Sequence, residues 1–269
     1  MTPSDALTIT HVGGPTVVLD LAGFRIVSDP TFDPPGAYPI GRGRQLVKLT
    51  APAVEADALG HIDLALLSHD QHPDNLDTAG RSLLGSVPVV LSTPLAASRI
   101  DGITGLEPWE STGLALPDGR ELRVTALPAR HGPVGCESLT GPVTGFAMEC
   151  EGLPRTYVSG DNAAVELVEQ IVDRMGSFDV AVLHAGAART PLLNSAALTL
   201  TTTDAVSAAR VLGTAAIVPV HTEGWSHFSE DVDALATAFT EAGMTDRLHV
   251  PTAGVPLSFS GAGSAPSGG

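Results

Sequence analysis

The apolar residues of this 269-residue chain come in short runs, and run after run stops at a histidine or an aspartate. Ile62-Asp63-Leu64-Ala65-Leu66-Leu67 leads into Ser68-His69, and residues 122–127 lead to Arg130-His131. Residues 155–159 deliver Gly160-Asp161, 180–183 deliver His184, and 216–220 deliver His221. Runs of this length suit β-strands and are too short to span a membrane. Side chains at the ends of neighbouring strands converge on one sheet edge. The pattern therefore confines the chain to an α/β arrangement in which far-apart stretches meet.

The opening residues 7–28 alternate as three strands joined by Gly13-Gly14-Pro15 and Ala22-Gly23, a β-meander that ends at Asp29-Pro30. Residues 31–60 are rich in Pro and Gly and are expected to form a long loop. From 61 onward strands alternate with helices. Helices are expected over 76–85, 163–175, 203–212 (with Thr201 or Thr202 as N-cap) and 231–242. Residues 143–150 and 155–159 are expected to form a hairpin. The meander followed by β/α units fits twice into the chain, so two similar halves are expected. Residues 261–269 are a Gly/Ser tail with nothing to bury.

Composition excludes several classes. Acidic residues outnumber basic ones by 30 to 14, and Lys48 is the sole lysine. A nucleic-acid binder needs the opposite field, and no basic cluster exceeds Arg42-Gly43-Arg44. A small-molecule substrate is expected, with no nucleic-acid partner and no membrane partner. Two cysteines, Cys136 and Cys150, make no disulfide framework, and residues 1–5 lack a signal-peptide pattern, so a cytoplasmic location is expected.

Imidazole and carboxylate donors converging from several strands are what a transition-metal site requires, with donors about 2.0–2.2 Å from the ion. Ser68-His69-Asp70-Gln71-His72-Pro73-Asp74-Asn75-Leu76-Asp77 resembles the His-x-His-x-Asp-His signature of metallo-β-lactamase-fold hydrolases. Ile26-Val27-Ser28-Asp29-Pro30-Thr31-Phe32, Val124-Thr125-Ala126-Leu127-Pro128-Ala129-Arg130-His131, Tyr157-Val158-Ser159-Gly160-Asp161 and Val218-Pro219-Val220-His221 follow in that family's order. The set is similar to the branch containing L-ascorbate-6-phosphate lactonase-like proteins. The resemblance implies a four-layer αββα sandwich over 1–260. It also implies zinc as one or two ions, or else manganese or iron, and hydrolysis of an ester, lactone or amide by a metal-activated water.

The signature is altered, and two alignments fit it. One reads Asp70-x-His72-x-Asp74-Asn75. The other starts at His69, places Gln71 at the second histidine and inserts a residue before Asp74. Both put Asn75 where a histidine is usual. The resemblance implies a first metal position from His69 or His72, or both, with His131. It implies a second from Asp74, Asp161 and His221, poorer by one imidazole. Asp74 would orient the water and accept its proton, and Asp161 would bridge.

Other residues carry paired readings. His184 falls where the resembled branch has a loop over the site, and is either a supporting or substrate-facing side chain or a packed strand end. Trp225 and Phe228 either line a substrate pocket or cap the last helix, with His227 between them. Arg130 and Arg189 either hold a substrate anion or pair with an acid. Cys136 is expected to be an inert buried thiol, and His11, His61 and His249 are expected to be structural. Gln71 and Asn75 leave room for two alternatives: a phosphodiesterase on the same fold, and a binding protein of this fold that has lost catalysis.

Overall fold

The computed structural model describes residues 5–41 and 43–260, so the Gly/Ser tail at 261–269 and Arg42 lie outside the described residues. The opening meander forms as expected: β1 (Ala6–Gly13), β2 (Thr16–Leu21) and β3 (Phe24–Ser28) pair antiparallel in sequence. The segment expected to be one long loop instead contains a two-stranded ribbon, β4 (Gly36–Gly41) and β5 (Arg44–Lys48). Its alternation is short and interrupted by Pro39, which hides a strand signal in a Pro/Gly-rich stretch.

Next come β6 (Leu64–Leu66), α1 (Thr78–Leu84), β7 (Val89–Ser92), α2 (Pro94–Ala97) and β8 (Ile103–Gly105). These strands run parallel to β3 and to one another, and β15 (Pro256–Ser260) closes the far edge against β1. The second sheet holds β9 (Ser111–Ala115), β10 (Glu121–Pro128), β11 (Thr144–Glu149), β12 (Thr156–Val158), β13 (Val180–His184) and β14 (Ala216–Val220), with the short helix α3 (Glu137–Thr140) between β10 and β11. Its first four strands are antiparallel and β12, β13 and β14 are parallel. Antiparallel strands followed by parallel strands thus occur in each half.

Strand alternation explains the layers. In β13, Val180 and Val182 face the core between the sheets, while Ala181 and Leu183 face the helices. Ile26 of β3 faces the same central core and Val27 the opposite side. Three helices cover the second sheet: α4 (Val165–Met175), α5 (Thr202–Val211) and α6 (Val232–Glu241). Leu76, Leu84 and the turn holding Leu59 cover the first. The result is an αββα sandwich. Thr201 caps α5 through a reciprocal box with Asp204, which fixes where the helix departs.

The edge strands β8, β9 and β15 are only three to five residues long and escape a sequence reading. Among the described residues no helix is long and apolar enough to cross a membrane.

One close approach sets the position of α1. A Cβ on Gly80 would lie 1.8 Å from the Pro30 carbonyl oxygen, so only glycine lets α1 sit against the chain leaving β3. Gly85 at the exposed end of α1 has right-handed geometry, φ −64°, with room for a methyl group. Gly80→Ala is expected to lower unfolding stability by roughly 1–3 kcal/mol or more. Gly85→Ala is expected to raise it by about 0.4–1 kcal/mol. Urea denaturation of the two variants checks both signs.

Candidate metal centre

Every parallel strand points its carboxyl end at the same face, and the chemistry-bearing residues follow directly. Asp29 comes after β3, His69 and His72 after β6, Asp161 after β12, and His221 after β14, while His184 ends β13. His131 lies just past the end of β10. The turn after β14 needs an unusual backbone: His221 has φ 59°, a left-handed conformation that costs a non-glycine residue free energy. Its amide donates to the Gly14 carbonyl at 2.7 Å, which holds the turn in place.

Two groups of donors form, each with ligand atoms within 4.8 Å of one another: His69, His72 and His131 in one, Asp161, His184 and His221 in the other. Asp161 lies between them. Its Oδ2 is 3.6 Å from His131 Nδ1 and 4.0 Å from His69 Nε2. Its Oδ1 is 2.8 Å from His184 Nδ1 and 3.5 Å from His221 Nε2. Asp74 completes the second group, with Oδ2 3.4 Å from His221 Nε2 and 2.9 Å from His227 Nε2.

The electrostatics favour the protonation states that metal ligands need. Burial pushes His69 well below its ordinary range and His131 down to about 4, both against the pull of Asp161. Burial alone would raise Asp161 and Asp74, but neighbouring imidazoles outweigh it and hold both carboxyls well below their usual value. His221, His131, His184 and His69 act on Asp161, and His227 and His221 act on Asp74. Asp29, fully buried, is pushed up to about 7 by desolvation, which His184 and the Ser68 amide only partly offset.

The arrangement fits a bound cation. Asp161 Oδ2, Asp74 Oδ1 and His221 Nε2 are buried with no hydrogen-bond partner among the described residues. Each would cost about 1–3 kcal/mol if left so. His69 Nε2 and His72 Nδ1 face each other at 2.9 Å, a spacing a shared ion satisfies. Two of the rings are also held from another edge. His131 Nδ1 donates to the Leu198 carbonyl at 2.8 Å, and His69 Nδ1 meets Ser68 Oγ at 2.9 Å, while His184 Nε2 lies 3.7 Å from Asp29 without a hydrogen bond. Such outer contacts orient ligating imidazoles.

The structure follows neither alignment of the signature in full. His69 and His72 both enter the first group, so the extra residue falls between them rather than before Asp74. Gln71 turns away to the Pro142 carbonyl, and Asp70 pairs with Arg99. Neither belongs to the donor groups. Asn75 points its amide nitrogen at Asp161 Oδ1, 3.2 Å away, and so steadies the carboxylate.

Asn75 offers no imidazole there, and His184 brings one to the same carboxylate, with Nδ1 2.8 Å from Asp161 Oδ1. His184 is fully buried beside Asp161 at the end of β13, not in a loop over the site, and it does not line the cavity above the centre. The signal was present, since β13 ends in histidine just where its neighbour β14 yields His221.

A cavity of about 480 Å³ opens over the centre, reaching His72, Asp74, His131 and His227. Arg189 lines it, but Ser229, the Ser195 carbonyl and Glu230 occupy its guanidinium. Arg130 pairs with Glu166, which is the ion-pair reading. Trp225 does not reach the cavity: it is buried under the β4–β5 ribbon, with Tyr38 at 5.8 Å and Lys48 over its ring. Phe228 packs on the His221 ring at 3.8 Å. Cys136 is a buried free thiol against the His131 carbonyl. His11, His61 and His249 lie outside both donor groups.

The model of one family, described as the beta-lactamase superfamily domain, matches residues 24–222. A curated relative, N-acyl-phosphatidylethanolamine-hydrolyzing phospholipase D 1 of Caenorhabditis elegans, is 26% identical over 197 residues, 67% of this chain and 54% of that one. The chain spans about half the length of the curated relatives it matches. Among solved structures, an isothiocyanate hydrolase from Delia radicum gut bacteria superposes with a TM-score of 0.79 at 23% identity, covering 94% of this chain and 99% of that one. A possible metal-dependent hydrolase from Veillonella parvula gives 0.77 at 18% identity, covering 93% and 98%. The matched stretch takes in both donor groups and Asp74, and with it the chain belongs to the beta-lactamase superfamily domain family and has the metallo-β-lactamase fold.

Proposed function

We propose that the protein is a metal-dependent hydrolase of a small-molecule ester, lactone or amide, holding two ions between its sheets. The observation that carries the reading is the pair of donor groups sharing Asp161 at the bottom of an open cavity. His69, His72 and His131 would hold the first ion. His184, His221 and Asp74 would hold the second, with Asp161 between them. Zinc suits an imidazole-rich set of this kind, and manganese or iron is the alternative. When bound, such an ion supplies Lewis acidity and water of lowered pKa.

The remaining work falls to the chain. Asp74 stays ionised and has one free oxygen, so it can orient water and take a proton from it. His227 Nε2 fixes the other oxygen from the cavity side. Asn75 and Asp29 keep Asp161 and His184 in register. The acidic balance of the chain, 30 to 14, disfavours polyanionic substrates. The named activities of the phospholipase and isothiocyanate hydrolase relatives support hydrolysis as the reaction class.

Elemental analysis after purification is expected to find about two ions per chain. His131→Ala and His221→Ala should each lower that content, whereas His249→Ala should leave it unchanged. Equal metal in all three would overturn the ligand assignment. His184→Ala is expected to remove the second ion and retain the first, a result that a merely packed strand-end residue would not give. Asp74→Asn should reduce kcat by roughly 10²–10⁴.

A reporter panel of esters, lactones, amides and a phosphodiester decides the substrate class. Turnover is expected among the first three, lost on chelation and restored by zinc. Turnover of the phosphodiester alone would reverse the assignment, and a metal-loaded protein inert to all four would favour a binding role.

A further inference from the structure

Beyond the residues of the metal centre, the cavity lining is largely apolar. It includes Leu139, Leu192, Leu193 and Leu198, together with Ile40 and Leu46 of the ribbon. Leu139 and Leu192 remain 57% and 53% exposed, which is costly for leucine unless something apolar covers them in use. The same ribbon brings Arg44 to this wall.

Arg44 is unusual in a chain with 30 acids and 14 basic residues. Arg189, the other arginine of the cavity, is held by Glu230 and two further oxygens. Arg44 has no ion pair among the described residues, and Asp74 is the only carboxylate of the cavity. The wall thus combines a leucine surface with an uncommitted cation.

We propose that the cavity takes a small amphiphile: its apolar chain lies along the leucine wall and its anionic group is bound by Arg44. This makes Arg44 a specificity-determining residue and places the chain and the anion on the substrate. The inference treats the cavity as the substrate site and so rests on the hydrolase reading. The acidic surface explains why a single anion, read at one point, suits this site better than a polyanion.

Butane-, hexane- and octanesulfonate, kept below their micelle concentrations, are suitable probes because a sulfonate is a poor metal ligand. Calorimetric titration of the purified metal-loaded protein is expected to show affinity rising roughly three- to fourfold per added methylene. Hexanesulfonate should bind about tenfold more tightly than 1-hexanol. Arg44→Gln should erase that advantage and leave 1-hexanol binding unchanged, while Arg44→Lys should restore part of it. Leu192→Asp should flatten the dependence on chain length. Both side chains are partly exposed, and matched circular dichroism spectra would confirm that the variants fold.

Sulfonate binding that ignores chain length, or that is equal in wild type and Arg44→Gln, overturns the inference. Binding needs no turnover, so the two proposals separate. Arg44-dependent binding by a protein inert to the whole reporter panel supports the amphiphile site and refutes the hydrolase reading. Turnover without Arg44-dependent binding does the reverse.

Discussion

A carboxylate with no exposure to solvent, Asp161, sits among four imidazoles, and the rest of the structure is arranged around that fact. Removing an ionised carboxyl from water is affordable only where opposite charge or directed hydrogen bonds compensate. His184 and the Asn75 amide meet one oxygen. The other oxygen faces His69 and His131 without a hydrogen bond. A cation held by these groups would complete the balance, and would then matter to the integrity of the core as well as to chemistry.

The topology serves this one point. Asp161, His184 and His221 arrive from adjacent parallel strands, so a strand-pairing register places all three at once. The first sheet contributes the His69–Asn75 loop and Asp29 from the facing side, and the metal groups span the gap between sheets. Asp77 links the site loop to its surroundings: it caps α1 through Gly80, accepts from the Asp33 amide, and pairs with Lys48 of the ribbon at 3.2 Å. The ribbon in turn bonds to the segment after His221, through Leu49 to Gly224 and Ser226 to Val47. One wall of the cavity is therefore fastened to both metal-binding loops.

Much of this was legible in the chain. Apolar runs ending in His or Asp marked the strand ends, because burial of a strand and placement of a ligand at its tip leave that pattern directly. The register of residues 69–75 was not legible, since both alignments keep Asp74, one setting Asp70 at the first histidine with no insertion and the other starting at His69 with a residue inserted before Asp74. The backbone decides it: amides of Asn75 and Leu76 bond back to the His72 carbonyl, so the turn closes after His72 and the slack falls at Gln71. His184 was visible as a strand end, but its partner Asp161 lies 23 residues earlier, a pairing that only the sheet order reveals. The cavity wall combines residues near 40–46, 139 and 190–198, whose proximity no local pattern encodes. Trp225, an aromatic beside a candidate ligand, was open to two readings, a pocket wall or a cap over the last helix, and it lies buried against the ribbon outside the cavity lining.

Lys48 is the chain's one lysine, and it is 5% exposed, wedged between Asp77 and the Trp225 ring. Acylating reagents that label surface lysines would therefore find no lysine amine on the described surface while the ribbon is seated. The ε-amino group becomes reachable only when the ribbon lifts from the two loops it joins. Slow modification of this single nitrogen would thus act as a clock for that opening, reporting how often the wall of the cavity detaches in the native protein.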